Sequence, residues 1–300
     1  MQTRSVTFFS DGLRLDGELY LPDGLAPGER RPAVITCSGY QGLKVIHPAR
    51  FARALAPHGF VCLAFDYRGF GRSDGERGRL VPQEQCEDVR AAISFLETLP
   101  EVDPDAISLV GWALGGGVAI ATAAEDARVR SVAAINAIGD GARSVRFQHD
   151  PETWRRLVER VEADRLRRAL QGPSELVHPF EIVRLDTVTN GYVDEELYRA
   201  PGFGMDVTLE SADYLFRFRP SELVHKLAPR PLLLIHGTEN ALHSVEEAHD
   251  LYERAGEPKR LELLEGSGHT EWAFDDHPVF RRVAGLVREF LDAGVGALAA

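Results

Sequence analysis

The residues best placed to do chemistry lie in and around Gly111-Trp112-Ala113-Leu114-Gly115. A short apolar run, Ile107-Ser108-Leu109-Val110, precedes this glycine turn, and an apolar, helix-like stretch follows it. That is the setting of a G-x-S-x-G nucleophile elbow, where a sharp strand-to-helix turn exposes a serine hydroxyl above a sheet. The serine is missing. Ala113 stands in its place, and a methyl group cannot attack a carbonyl or carry an acyl group. What the turn still offers is main chain: the N–H of Leu114, opening a helix, can stabilise an oxyanion without any serine.

The elements that must hold this turn follow from the hydrophobic period. Residues 6–9 and 13–21 alternate as an antiparallel pair joined at Asp11-Gly12, a favoured hairpin dipeptide. Apolar runs at 33–37, 61–65, 107–110, 129–135, 231–236 and 260–264 read as buried strands. Between them, Phe51 and Leu55 mark an amphipathic segment, Val89, Ile93 and Leu96 give residues 83–99 helical spacing, and 117–124 continues as a helix. Strands alternating with helices predict a mostly parallel, twisted sheet covered by helices on both faces. The alternation stops between residues 141 and 222, where Trp154, Leu157, Val158, Val161, Leu166 and Leu170 recur at helical spacing among arginines and glutamates. An insertion after the sixth strand would lie above the carboxyl ends of the strands, where open α/β sheets bind ligands. The reading is a core of residues 1–140 and 223–300 with a helical cap over 141–222; a solvated hairpin adding only bulk is the plainer alternative.

Composition narrows the function. With 300 residues and 44% hydrophobic content the chain supports a sizeable core. A net charge of −12 argues against nucleic acid and anionic membranes as partners, because a phosphate-binding surface needs clustered cations. Cys37, Cys62 and Cys86 are odd in number and sit in apolar patterns, which predicts buried thiols in a reducing compartment. Neither a signal-like run nor a stretch of roughly 18 apolar residues occurs, so a cytoplasmic location is expected. The ten histidines show neither H-x-H nor H-E-x-x-H spacing, and Gly115-Gly116-Gly117 lacks the dinucleotide pattern, so neither metal nor organic cofactor is expected.

Several stretches together carry a resemblance. They are Ser38-Gly39-Tyr40-Gln41-Gly42-Leu43-Lys44, Phe65-Asp66-Tyr67-Arg68-Gly69-Phe70-Gly71-Arg72-Ser73, the elbow itself, His236-Gly237-Thr238-Glu239-Asn240 and Gly266-Ser267-Gly268-His269. In this order and spacing they resemble the α/β-hydrolase fold over nearly the whole chain, nearest its dienelactone-hydrolase-like and capped carbon–carbon hydrolase groups. The resemblance implies a triad at Ala113, Asn240 and His269, of which only the histidine is intact, and an oxyanion hole from the N–H groups of Leu114 and of Tyr40 or Gln41. An amide at Asn240 would orient His269 without balancing an imidazolium charge. Asp140, past the sixth strand, is either a relocated acid or a surface turn residue.

Other residues carry open alternatives. Trp112 and Leu114 line the pocket or pack on the sheet. His243 is a second polar contact near the active face, and His236 a hydrogen-bonded core histidine. Trp272 covers the histidine loop or packs at the surface, and Trp154 is a pocket candidate from the cap. Asp66 and Arg68 are expected to brace the fold. A base opposite oxyanion donors can take a proton beside a carbonyl and hold the enolate. The resemblance adds that serine-less members of this fold include lyases, some of which expel acetate from acylated polyketide or tetronate intermediates. The preferred expectation is therefore a lyase-type elimination on a small carbonyl or ester substrate. The alternatives are an esterase or carbon–carbon hydrolase whose serine is replaced by Ala113, and a non-catalytic ligand-binding protein. A homodimer is a further expectation.

Overall fold

The computed structural model describes residues 1–296. Strands β1 (Gln2–Ser10) and β2 (Leu13–Leu21) form the expected hairpin, and both turn residues, Asp11 and Gly12, take positive φ (+49° and +79°). Two positive angles match the right-handed twist of the strands, which is why Asp-Gly suits this turn. The chain continues through β3 (Arg31–Cys37), α1 (His47–Leu55), β4 (Val61–Phe65), α2 (Pro82–Glu97), β5 (Val102–Trp112), α3 (Leu114–Glu125) and β6 (Val129–Ile135). Residues 136–231 then carry α4 (Gly141–Phe147), α5 (Pro151–Gln171), β7 (Leu176–Val177), α6 (Pro179–Ile182), α7 (Thr187–Glu195), β8 (Val207–Thr208) and α8 (Glu210–Phe216). The core closes with β9 (Leu232–Gly237), α9 (Glu246–Arg254), β10 (Lys259–Leu264) and α10 (Pro278–Gly296).

The main sheet has eight strands in the order β1-β2-β4-β3-β5-β6-β9-β10, parallel from β4 onward. Strands β4 and β9 are buried at every residue, and helix pairs α1 with α10 and α2 with α3 pack beside the sheet. Continuous apolar runs such as Val61–Phe65 are what strands covered on both faces require. The sheet places the ends of β3, β5, β6 and β9 side by side, so the loops after them meet above it.

The stretch after β6 is helical, as its spacing predicts, with one addition: β7 and β8 pair antiparallel. Helix α5 starts where Asp150 accepts from the N–H groups of Glu152 and Thr153, with Pro151 in its first turn, and ends at Gly172 (φ +95°). Its inner face is shorter than the apolar spacing suggests. Leu157 and Val161 are buried, whereas Leu166 and Leu170 are 70% and 85% exposed. The reason is that the last turns face the chain through Asp164, which is buried and takes Arg167, Arg168, the Ser174 hydroxyl and the Glu175 N–H. The segment is tied to the core loop before α2: Thr208 N–H donates to the Gly78 carbonyl, Leu80 N–H to the Ser211 hydroxyl, and Arg79 pairs with Glu210. Among the described residues no helix is long and apolar enough to cross a membrane.

Candidate active site

Ala113 sits between β5 and α3 with φ +52° and ψ −117°. A residue with a β-carbon held there stores on the order of 1–3 kcal/mol. The angle persists because both flanks are fixed: Ala113 N–H donates to the Ile135 carbonyl at 2.9 Å, and its carbonyl accepts from Gly116 at 3.0 Å. The elbow glycines are demanded by contact. A β-carbon on Gly111 would collide with the Gly115 carbonyl, and one on Gly115 with the Ser38 and Cys37 carbonyls at the end of β3. The turn thus has the shape of a nucleophile elbow and presents a methyl. The first N–H of α3, on Leu114, and the N–H groups of Tyr40 and Gln41 have no protein acceptor among the described residues. Gln41 itself takes φ +73°, bending its loop over the elbow.

His269 is buried, and Trp112 and His243 meet it edge to face at 5.8 Å and 4.8 Å between ring centroids. Its Nδ1 is buried without a partner, which leaves Nε2 as the nitrogen open to the cavity. Here the structure corrects the expected role of Asn240. The Asn240 carbonyl oxygen accepts from Leu242 and His243 N–H at 3.0 and 2.9 Å, and its amide nitrogen faces His236 at 3.4 Å. The amide closes its own turn, a habit of Asn after a strand, and does not reach His269. Asp140 is not a substitute acid either. It caps α4 by accepting from Arg143 N–H at 3.0 Å and pairs with Arg219.

Three imidazoles instead surround the site. His47, unmarked by any sequence spacing, stacks on Trp112 at 4.2 Å and 3° between planes. His243 holds the Ser144 hydroxyl through Nδ1 at 2.6 Å. Burial pulls His47 down to about 3, with Arg50 adding, and His243 down to about 3, with His236 adding. Burial also holds His269 well below the usual histidine value, with His243, His47 and His236 contributing. All three are therefore neutral at neutral pH. His236 is the core histidine expected: buried, bonded to the His243 carbonyl at 2.9 Å, and lowered to about 4 chiefly by burial.

Ala113, Leu114, Trp112, Tyr40, Gln41, His47, His243 and His269 all line one cavity of about 90 Å³, whose outer wall comes from the segment after β6 through Val145, Phe180, Val183, Leu185 and Val193. Two expected pocket residues lie outside it. Trp272 is buried under Trp112 with its indole N–H on the Gly268 carbonyl at 3.2 Å, so it supports the histidine loop from behind. Trp154 packs on Phe216 at 5.0 Å, with Arg146 over its ring, away from the cavity. Asp66 and Arg68 brace: Asp66 accepts from the N–H groups of Lys44 and Arg72, and Arg68 clasps Asp88 and Ser10. Asn136 is a support that no motif announces. Fully buried at φ +49°, it donates to the His269 carbonyl and accepts from Gly237 N–H, both at 3.0 Å. Among the described residues no three His, Cys, Asp or Glu side chains are arranged to hold a metal ion.

A model of the serine aminopeptidase S33 family matches residues 28–275. Protein PA2218 of Pseudomonas aeruginosa, uncharacterised, is 30% identical, with 97% of this chain and 81% of the relative aligned. Its crystal structure superposes with a TM-score of 0.81 at 28% identity over 96% of this chain and 94% of that one. The polyketide transferase GrgF of a Penicillium species is 28% identical over 89% of this chain and 88% of its own, and its crystal structure, an α/β-hydrolase, matches with a TM-score of 0.81 at 24% identity over 98% and 99%. The thiohydrolase AneE of Aspergillus aculeatus is 29% identical over 86% of this chain and 83% of its own. Matching over most of its length and sharing the fold, the chain belongs to the serine aminopeptidase S33 family of α/β-hydrolase-fold proteins.

Proposed function

We propose that this protein is a serine-independent acid/base enzyme that performs an elimination on an acyl or polyketide-like substrate, with residues 141–222 acting as the cap over the reacting groups. One observation carries the reading: a neutral His269, with no carboxylate at Nδ1, opens Nε2 toward an elbow that keeps its oxyanion donors and has lost its nucleophile. In the reaction, His269 Nε2 takes the proton from the carbon beside a carbonyl. The electron pair moves through an enolate, held by Leu114 N–H and the Tyr40–Gln41 loop, to form a carbon–carbon double bond. The carbon–oxygen bond one atom further breaks, and a carboxylate leaves with that bond's electrons. A low pKa keeps the imidazole in its accepting form, and the developing enolate charge raises its basicity as the proton moves. Relatives named as a polyketide transferase and a thiohydrolase support an acyl or ketide substrate.

The strained Ala113 favours a second reading, a hydrolase disarmed at its nucleophile, because that backbone serves display of a hydroxyl. The test compares the unaltered protein with His269→Ala, His269→Gln and Ala113→Ser on an aryl ester and on an acetylated β-hydroxyketone. Acetate and alkene are followed by mass spectrometry. The elimination reading expects both products from the unaltered protein and a fall of about 100-fold or more in either His269 variant. Ester cleavage with a burst from Ala113→Ser alone, and no alkene from the unaltered protein, establishes the disarmed hydrolase.

A further inference from the structure

A second imidazole lies against the base of the elimination. His243, in the loop after β9, meets the His269 ring edge to face with 4.8 Å between centroids, and both rings line the cavity beside Ala113. Its Nδ1 is tied to the Ser144 hydroxyl at 2.6 Å, on α4, the first helix after β6. Its Nε2 bonds to no protein group, yet it is not sealed in as Nδ1 of His269 and Nε2 of His47 are. The 8% of His243 that stays exposed opens on the cavity.

Ser144 decides which ring nitrogen of His243 carries the proton. Its hydroxyl is buried and bonds to nothing else, so its hydrogen goes to the one acceptor in reach, Nδ1. The proton of the ring is then on Nε2, and that N–H faces the cavity. A neutral imidazole donates such a bond to developing negative charge without first being protonated. The oxyanion donors follow β5 and β3, whereas His243 follows β9, two strands from β5 on the other side. A substrate with its carbonyl oxygen on those donors and its α-carbon at His269 can therefore extend toward His243. The two rings touch, so no carbon chain passes between them, and their open nitrogens reach a substrate from one side.

We propose that His243 is a second catalytic residue, whose Nε2–H donates to the oxygen that departs as carboxylate, and that Ser144 positions it by holding Nδ1. This rests on the elimination reading above, with His269 taking the α-proton. The carbon–oxygen bond breaks with its electron pair leaving on the carboxylate, and His243 keeps its own proton. Proton and carboxylate leave from one face of the substrate, so the elimination is syn. Imidazole nitrogen NMR of the whole labelled protein is expected to place the His243 proton on Nε2, with both tautomers present in Ser144→Ala. In His243→Phe, alkene formation from an acetylated β-hydroxyketone should fall about 100-fold, and from its dichloroacetyl counterpart, whose carboxylate leaves with little help, less than about tenfold. A ring needed only for packing slows both esters alike. From the two α-deuterated diastereomers of the acetate, the trans-alkene should lose whichever hydrogen isotope lies syn to the acetoxy group. A proton on Nδ1, a tautomer unchanged in Ser144→Ala, an equal fall for both esters, or loss of the anti isotope overturns the proposal. Failure of the elimination reading shows separately, as no alkene from either ester with the unaltered protein, and it overturns this assignment as well.

Discussion

Asn136 shows how one side chain governs a site it never touches. Its amide joins the end of β6 to Gly237 at the end of β9 and to the carbonyl of His269, while its own backbone holds φ +49°. Asn tolerates that angle better than most residues because its short polar side chain bonds locally. Asn136→Ala removes both bonds and leaves the Gly237 N–H and the His269 carbonyl unpaired in a buried place. The expected loss is about 2–4 kcal/mol of stability, counting one to two kcal/mol per buried group left unpaired. Activity should fall further than the folded fraction does, because the histidine loop is released. Urea unfolding together with assays on the folded fraction checks this; an activity loss that merely tracks unfolding would remove Asn136 from the positioning role.

The elbow is the element in which glycine is set by crowding. At Gly115, inside the first turn of α3, alanine would ordinarily favour the helix by about 0.5–1 kcal/mol. Here its methyl would overlap the Ser38 and Cys37 carbonyls, both main chain, so β3 and α3 would have to part. Gly115→Ala should destabilise by about 2 kcal/mol or more, as overpacking does. A methyl placed on Gly285 in α10 would meet no atom within 4 Å, so Gly285→Ala should raise stability by about 0.5–1 kcal/mol. Melting temperatures of the two variants check the pair: the same sign for both would mean that propensity, not contact, sets these glycines.

At the scale of the whole molecule, buried histidines make stability depend on pH. His47, His236 and His243 bind protons in the native state only near pH 3 to 4, whereas in the unfolded chain they do so near 6.5. Below pH 6.5 the unfolded state therefore holds more protons, and stability drops as the pH falls toward the native values. At pH 5 each contributes a loss on the order of 2 kcal/mol, from about 1.4 kcal/mol per pH unit. Most carboxylates are still ionised in both states there, so the histidines dominate that window. Against a total of about 5–15 kcal/mol, the protein should be markedly less stable at pH 5 than at pH 8. Urea midpoints between pH 8 and 5 measure this, and a flat profile would show that the cluster is hydrated or already charged.

The sequence by itself determined the layered architecture and the elbow. Alternating and continuous apolar runs differ in period, Asp11-Gly12 admits only a tight hairpin, and Gly111-Trp112-Ala113-Leu114-Gly115 announces its turn through local sterics. It also reported the missing hydroxyl, since that is a matter of residue type. Tertiary structure alone decided which polar groups face one another. His47 is 222 residues from His269 and shares its cavity only because the loops after β3 and β10 both reach the elbow that follows β5. Asn240 occupies the expected loop yet turns its amide into that loop, and Trp154 keeps helical spacing while packing outside the cavity. Spacing along a chain fixes the face of an element on which a residue lies; what stands opposite that face depends on how distant elements dock, and this is where the chemistry of the site was set.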